Sequence, residues 1–193
     1  MNNKTESSAR AGNRLVLLMI AGVFVLPIIV AWLLAAGMFD WRPQGLLNHG
    51  TLFAPPIDLH QIESTPASAP LRELPAADWA VVFVSDRPCD DACRTVLAEL
   101  SAIRLVIGKN GTRVSVFGVF DELQSATEER QLVDAALVAG IHERLAAQPG
   151  KPALPLVGFI DWRGQLMMHF PPSAPPQDIK SDLKRLLSAS AIK

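Results

Sequence analysis

The only two cysteines among the 193 residues are Cys89 and Cys93, separated by Asp90, Asp91 and Ala92. On a helix, a four-residue offset puts two side chains on one face with Cβ atoms about 5–6 Å apart. That separation suits a disulfide after a small adjustment, and it equally lets two thiolates grip one soft metal ion. A purely structural disulfide is the plainer reading in an oxidising compartment. Closing so short a loop constrains the unfolded chain very little, however, so stability alone is a weak reason for the pair. A helix N-terminus favours a thiolate, whereas Asp90 and Asp91 beside the sulfurs oppose one and favour a bound cation. Two thiolates without further ligands suit Cu(I), which is soft and accepts low coordination.

The remaining candidate donors are weaker. His49 lies in a Pro-rich segment and either folds back towards the cysteines or stays at the surface. His60 has no supporting context and His142 is mid-helix among charged neighbours, so both read as solvated, and His169 reads as a surface residue. Met167 and Met168 carry soft sulfurs, but adjacent strand residues face opposite ways, so at most one of them joins any site.

The elements that must position the cysteines are legible around them. Trp79 to Ser85 is a run of β-branched and aromatic residues, expected as a buried strand, and Val96, Leu100, Ile103 and Ile107 fall on one face of a helix. The pair therefore sits where a strand hands over to a helix. Asn110-Gly111 marks a turn, and Val114 to Phe120 is a second strand. A second helix is expected from Thr127-Glu128 to Gln148, stopped by Pro149-Gly150-Lys151-Pro152. Pro155 to Ile160 and Gln165 to Phe170 form a hairpin about Asp161-Trp162-Arg163-Gly164, and Pro175 to Ser188 is a closing amphipathic helix.

Before this domain (79–193) the chain has three parts. Leu15 to Phe39 is free of charge and long enough to cross a hydrocarbon core of about 30 Å. Lys4, Arg10 and Arg14 precede it within residues 1–14, which argues for a cytoplasmic N-terminus and a domain on the far side of the membrane. Cleavage after the small pair Ala35-Ala36 is the alternative, but the apolar run is longer than the ~7–15 residues usual in a signal peptide, so an anchor at 15–39 is expected. Residues 40–78 are broken by Pro43, Pro55, Pro56, Pro66, Pro70 and Pro75 and read as a stalk or wrapping segment, in which Asn48-His49-Gly50 and Pro55-Pro56 pack a short extended piece on the domain. A net charge of −1, from 18 basic and 19 acidic residues, excludes a sequence-wide field for nucleic acid.

A cysteine pair at the first strand-to-helix junction, a parallel crossover, a helix and an antiparallel hairpin resembles the thioredoxin fold. The three-residue gap in Cys89-Asp90-Asp91-Ala92-Cys93 departs from thioredoxin's two and is similar to the Sco family of membrane-anchored copper chaperones for cytochrome c oxidase. The layout from Trp41 onwards resembles small Sco-like transmembrane proteins of proteobacteria. The likeness is carried by Asn48-His49-Gly50 with Pro55-Pro56, by the cysteine loop, and by Gly164 to Pro172 followed by Asp182-Leu183-Lys184-Arg185-Leu186-Leu187. It implies an α/β thioredoxin-like domain with an N-terminal transmembrane helix. It implies a bacterial inner-membrane location with the domain in the periplasm, and Pro155 at roughly the place of a cis-proline facing the cysteines. It further implies Cys89 and Cys93 as metal ligands or catalytic thiols, Cu(I) as cargo, and a cytochrome c oxidase subunit or another assembly factor as partner.

One departure is plain. The histidine that completes the Sco copper site belongs where this chain has Ala153 to Pro155. Three functions therefore stand open: Cu(I) transfer or reduction of copper-site cysteines in oxidase assembly; general thiol-disulfide exchange with Cys89 attacking and Cys93 resolving; and a non-catalytic interaction module stapled by a disulfide.

Overall fold

The computed structural model describes residues 19–29, 32, 48–122 and 131–190. By its internal contacts the chain divides into two units, Met1–Leu46 and Leu47–Lys193. In the first, residues 19–29 are helical and present exposed apolar side chains such as Val23, Phe24 and Ile28. Among the described residues no helix is long and apolar enough to cross a membrane. Most of the expected anchor at 15–39, and all of the cytoplasmic segment 1–14, lie outside them.

The second unit is built on one six-stranded sheet. Its strands are β1 (Thr51–Asp58), β2 (Trp79–Ser85), β3 (Val114–Phe120), β4 (Gln131–Val133), β5 (Leu156–Asp161) and β6 (Gln165–Phe170), in the spatial order β1-β6-β5-β2-β3-β4. β2 and β3 are parallel, as are β3 and β4, while β5 runs antiparallel to both β2 and β6. This mixed α/β arrangement, a parallel crossover beside an antiparallel hairpin, is the one expected from the sequence.

Every residue of β2 is buried because the strand is central and covered on both faces. Its side chains alternate between two cores. Trp79, Val81 and Phe83 pack with helices α1 (Asp91–Val106) and α3 (Pro176–Ala189), through Leu97, Leu100, Ile179 and Leu183. Ala80, Val82 and Val84 pack on the other face with helix α2 (Ala135–Ala146), through Leu137, Val138 and Ile141. Each of the larger apolar side chains taken from water, Ala80 aside, contributes roughly 1.5–3 kcal/mol, so β2 is anchored from both faces.

Three features add to or depart from the sequence reading. The second helix starts at Ala135, because Asp134 caps it by accepting the Leu137 amide at 3.0 Å, and Gln131 to Val133 are taken as an edge strand by β3. The segment before Trp79 supplies β1, which pairs with β6 from Thr51↔His169 to Asp58↔Gln165. Finally, β6 carries a bulge: Phe159 faces Met168 but Ile160 faces Leu166, leaving Met167 as the extra residue. Alternation fails there, so Met167 and Met168 both pack against the α1/α3 core rather than on opposite faces.

Candidate functional site

The site grows from the end of β2. The Ser85 hydroxyl accepts the Arg87 amide at 3.1 Å and donates to the Arg87 carbonyl at 3.0 Å, turning the chain out of the sheet. Asp90 then adopts an extended backbone and caps α1, its carboxylate accepting the Cys93 amide at 2.8 Å. The cap fixes Cys93 on the buried face of the first turn and leaves Cys89 in the preceding loop. The two are joined in a disulfide with their Cα atoms 5.2 Å apart, well inside the usual span.

The two sulfurs are not equivalent. Cys93 belongs to the α1/α3 core and is only 6% exposed, whereas Cys89 is half-buried against that core's edge. An incoming group therefore meets Cys89 first. Beside the pair lies a groove of about 510 Å³ lined by Phe83, Ser85, Cys93, Val96, Pro155 and Pro172, with Arg87 and Asp90 among its walls. Pro155 faces the cysteine end of the sheet across this groove, and the Leu154–Pro155 peptide is cis.

Sequence reasoning overlooked Arg94. Its guanidinium pairs with the fully exposed Asp91 and donates to the Cys89 carbonyl at 3.4 Å. The two aspartates are thus differently placed from the pair of opposing charges expected. Asp90 accepts a backbone N–H at the positive end of α1, and Asp91 faces a cation. The i, i+3 spacing of Asp91 and Arg94 was the available signal.

The other candidate donors lie elsewhere. His49 is held on α3: its backbone amide and that of Gly50 donate to the Asp182 carboxylate at 2.6 and 2.9 Å, its Nδ1 is 3.2 Å from the same carboxylate, and its Nε2 is 3.7 Å from Asp178. Asp182 is 2% exposed, so the Asn48-His49-Gly50 motif and the Asp182 motif, which carry much of the sequence likeness, form a single docking joint. His169 is half-buried and stacks on Phe53 with ring centroids 4.7 Å apart, which places it on the α2 face of the sheet, opposite Cys93. His60 and His142 are exposed. Among the described residues no group of three or more His, Cys, Asp or Glu side chains converges as a metal cage. The donor set at the cysteine mouth is two sulfurs, which suits two-coordinate Cu(I) or thiol-disulfide exchange.

No curated protein matches the chain. Two solved structures resemble it at low identity. One is the copper-bound ScoI of Bradyrhizobium japonicum, 16% identical over 72% of this chain and 98% of that one, with a TM-score of 0.40. The other is BsSco, a member of the Sco family of cytochrome c oxidase assembly proteins in which a disulfide switch was identified, 13% identical over 75% of this chain and 94% of that one, also with a TM-score of 0.40. Residues 79–190, the span holding both cysteines, their groove and the docking helix, match the family described as transmembrane-like, thioredoxin-like, C-terminal domain, and the chain belongs to that family.

Proposed function

We propose that this chain is a membrane-tethered, Sco-like assembly factor of the periplasmic face, which uses Cys89 and Cys93 to reduce the copper-site cysteines of a cytochrome c oxidase subunit or of another assembly factor. The observation that carries the chemistry is the asymmetry of the pair: a half-exposed Cys89 bonded to a buried Cys93 at the mouth of a groove. The sequence likeness to Sco proteins carries the pathway, and the charge-free run at 15–39 carries the tether.

In the reduced protein the Cys89 thiolate attacks one sulfur of the recipient's disulfide, forming a mixed disulfide and releasing the recipient's other sulfur as a thiolate. Cys93 then attacks Cys89, frees the second recipient thiol and closes the Cys89–Cys93 bond. Two electrons pass to the recipient, and a dithiol donor returns them by the same exchange. Cu(I) transfer is the second reading, favoured by two adjoining sulfurs on residues whose Cα atoms are 5.2 Å apart. Copper would be cargo held by both thiolates and released as a recipient's thiolates displace them one at a time.

Trapping tests the first reading. In the full-length chain, Cys93→Ala retains the attacking sulfur and removes the resolving one, so a stable mixed disulfide should accumulate with a copper-site peptide, and Cys89→Ala should trap nothing. One-to-one Cu(I) binding by the reduced wild-type chain that Cys89→Ala abolishes, with no trapped species, would select the second reading instead.

A further inference from the structure

A second groove, of about 660 Å³, lies against the loop that carries Cys89. Its floor is the small apolar face of α2, Ala135, Val138 and Ala139, and carboxylates stand around it at Asp86, Asp121 and Glu143. His142 completes the wall, and no lysine or arginine lines the groove among the described residues. Asp86 follows β2 directly, Asp121 follows β3 directly, and Glu143 projects from α2. Three elements therefore bring like charge to one apolar trough. One oxygen of Asp121 is shut off from water and has no hydrogen-bond partner among the described residues.

The position of this groove matters as much as its charge. Asp86 lines it, while the next residue, Arg87, lines the groove beside the disulfide. The two grooves therefore meet along the chain where it leaves β2, three residues before Cys89. Small apolar residues on the floor admit a side-chain stem, and the carboxylates attract a cationic head, the combination that a lysine or arginine offers.

From this we infer that the groove between α2 and the ends of β2 and β3 is a recognition site for the recipient polypeptide, and that it selects a segment with a basic residue close to the target cysteine. The inference rests on thiol exchange at Cys89 and names the class of substrate for it.

The test uses the reduced full-length chain in an uncharged detergent. Three decapeptides differ only in carrying lysine, glutamine or glutamate beside one cysteine, and each is supplied as its mixed disulfide with 4-thiopyridine. Uncharged 4,4′-dithiodipyridine serves as the small probe. Cys89 attacks the peptide's mixed disulfide and expels 4-thiopyridone, Cys93 then attacks Cys89 and frees the peptide thiol, and the protein is oxidised by two electrons; the dithiodipyridine probe releases two 4-thiopyridone by the same two steps. The lysine peptide should react faster than the glutamine peptide, and that faster than the glutamate peptide, by about three- to tenfold in total at low salt. In the variant carrying Asp121→Asn and Glu143→Gln, and separately at high salt, the ranking should collapse while the dithiodipyridine rate stays unchanged. Equal rates for all three peptides, or a ranking that survives in the variant, would overturn the inference. Failure to react even with dithiodipyridine would instead strike at thiol exchange itself.

Discussion

Two carboxylates accept backbone amides near the same end of the sheet, and they differ in burial. Asp90 holds the Cys93 amide from an exposed position in the cysteine loop. Asp182, on α3, holds the amides of His49 and Gly50 from a site 2% exposed, with Arg185 at 3.9 Å. Water reaches the exposed Asp90 carboxylate, so the loop can reshape as its disulfide opens and closes. The bond from Gly50 to Asp182 is buried, and a buried donor left without an acceptor costs its full desolvation penalty. The chain thus keeps its chemistry on an adjustable junction and fixes the start of β1 with a rigid one. Gly50 belongs to the rigid joint: a Cβ there would come 2.5 Å from the Phe170 ring and 2.8 Å from the Met168 sulfur, so close approach excludes a larger residue without rearrangement.

The sharpest way to break this comparison is Asp182→Ala. It strands two backbone amides and the His49 ring, and should cost about 2–4 kcal/mol in chemical unfolding. Exchange with a small uncharged disulfide, measured under conditions where the variant is folded, should stay within about twofold of wild type, since the junction at Cys89 makes no use of Asp182. A variant of unchanged stability, or one that loses exchange while folded, would show that the two junctions are not separate in role.

A smaller effect is expected at Asp134, a buried cap on the α2 face. Burial raises its pKa, but the Leu137 amide and the Thr65 amide and hydroxyl outweigh that and hold it below its ordinary 3.8. With the folded value depressed, the stabilisation is complete above the unfolded pKa and is lost as pH falls through the folded one. Asp134→Ala should cost about 1–2 kcal/mol at neutral pH. The gap to wild type should narrow as unfolding is measured at successively lower pH below about 4, and a gap independent of pH would place the effect in packing instead.

What the sequence made legible follows from which interactions are local. β2, β3, the β5–β6 hairpin and the closing helix announce themselves through periodicity and turn residues such as Gly164, whose φ is +72°. The junction that holds Cys89 and Cys93 was readable for the same reason. The joint between His49 and Asp182 links residues 133 positions apart, and no local pattern encodes it. Met167 escaped because a bulge changes the face of every residue beyond it while leaving composition untouched. The α2 start escaped because helix periodicity ran on through Leu132, which the sheet edge claimed. The acidic trough is likewise invisible in one dimension, since its carboxylates come from three elements.

The mildest test lies at His169, where the same α2-side core meets a titratable ring. Burial against Phe53 disfavours the charged form and lowers its pKa below the ordinary 6.5. The unfolded chain therefore binds a proton at higher pH than the folded one. Stability should be unaffected by this group above about pH 6.5, and should decline as pH falls from there through the lowered folded value. His169→Gln keeps a polar side chain of similar reach and removes the titration, so unfolding midpoints of the two proteins should run parallel above pH 7 and converge below pH 6. Midpoints that instead diverge on acidification would mean that the protonated ring gains a partner in the fold. His169 would then be an electrostatic residue and not a packing one, and the contrast between an adjustable cysteine loop and a closely packed β1–β6 edge would have to be redrawn.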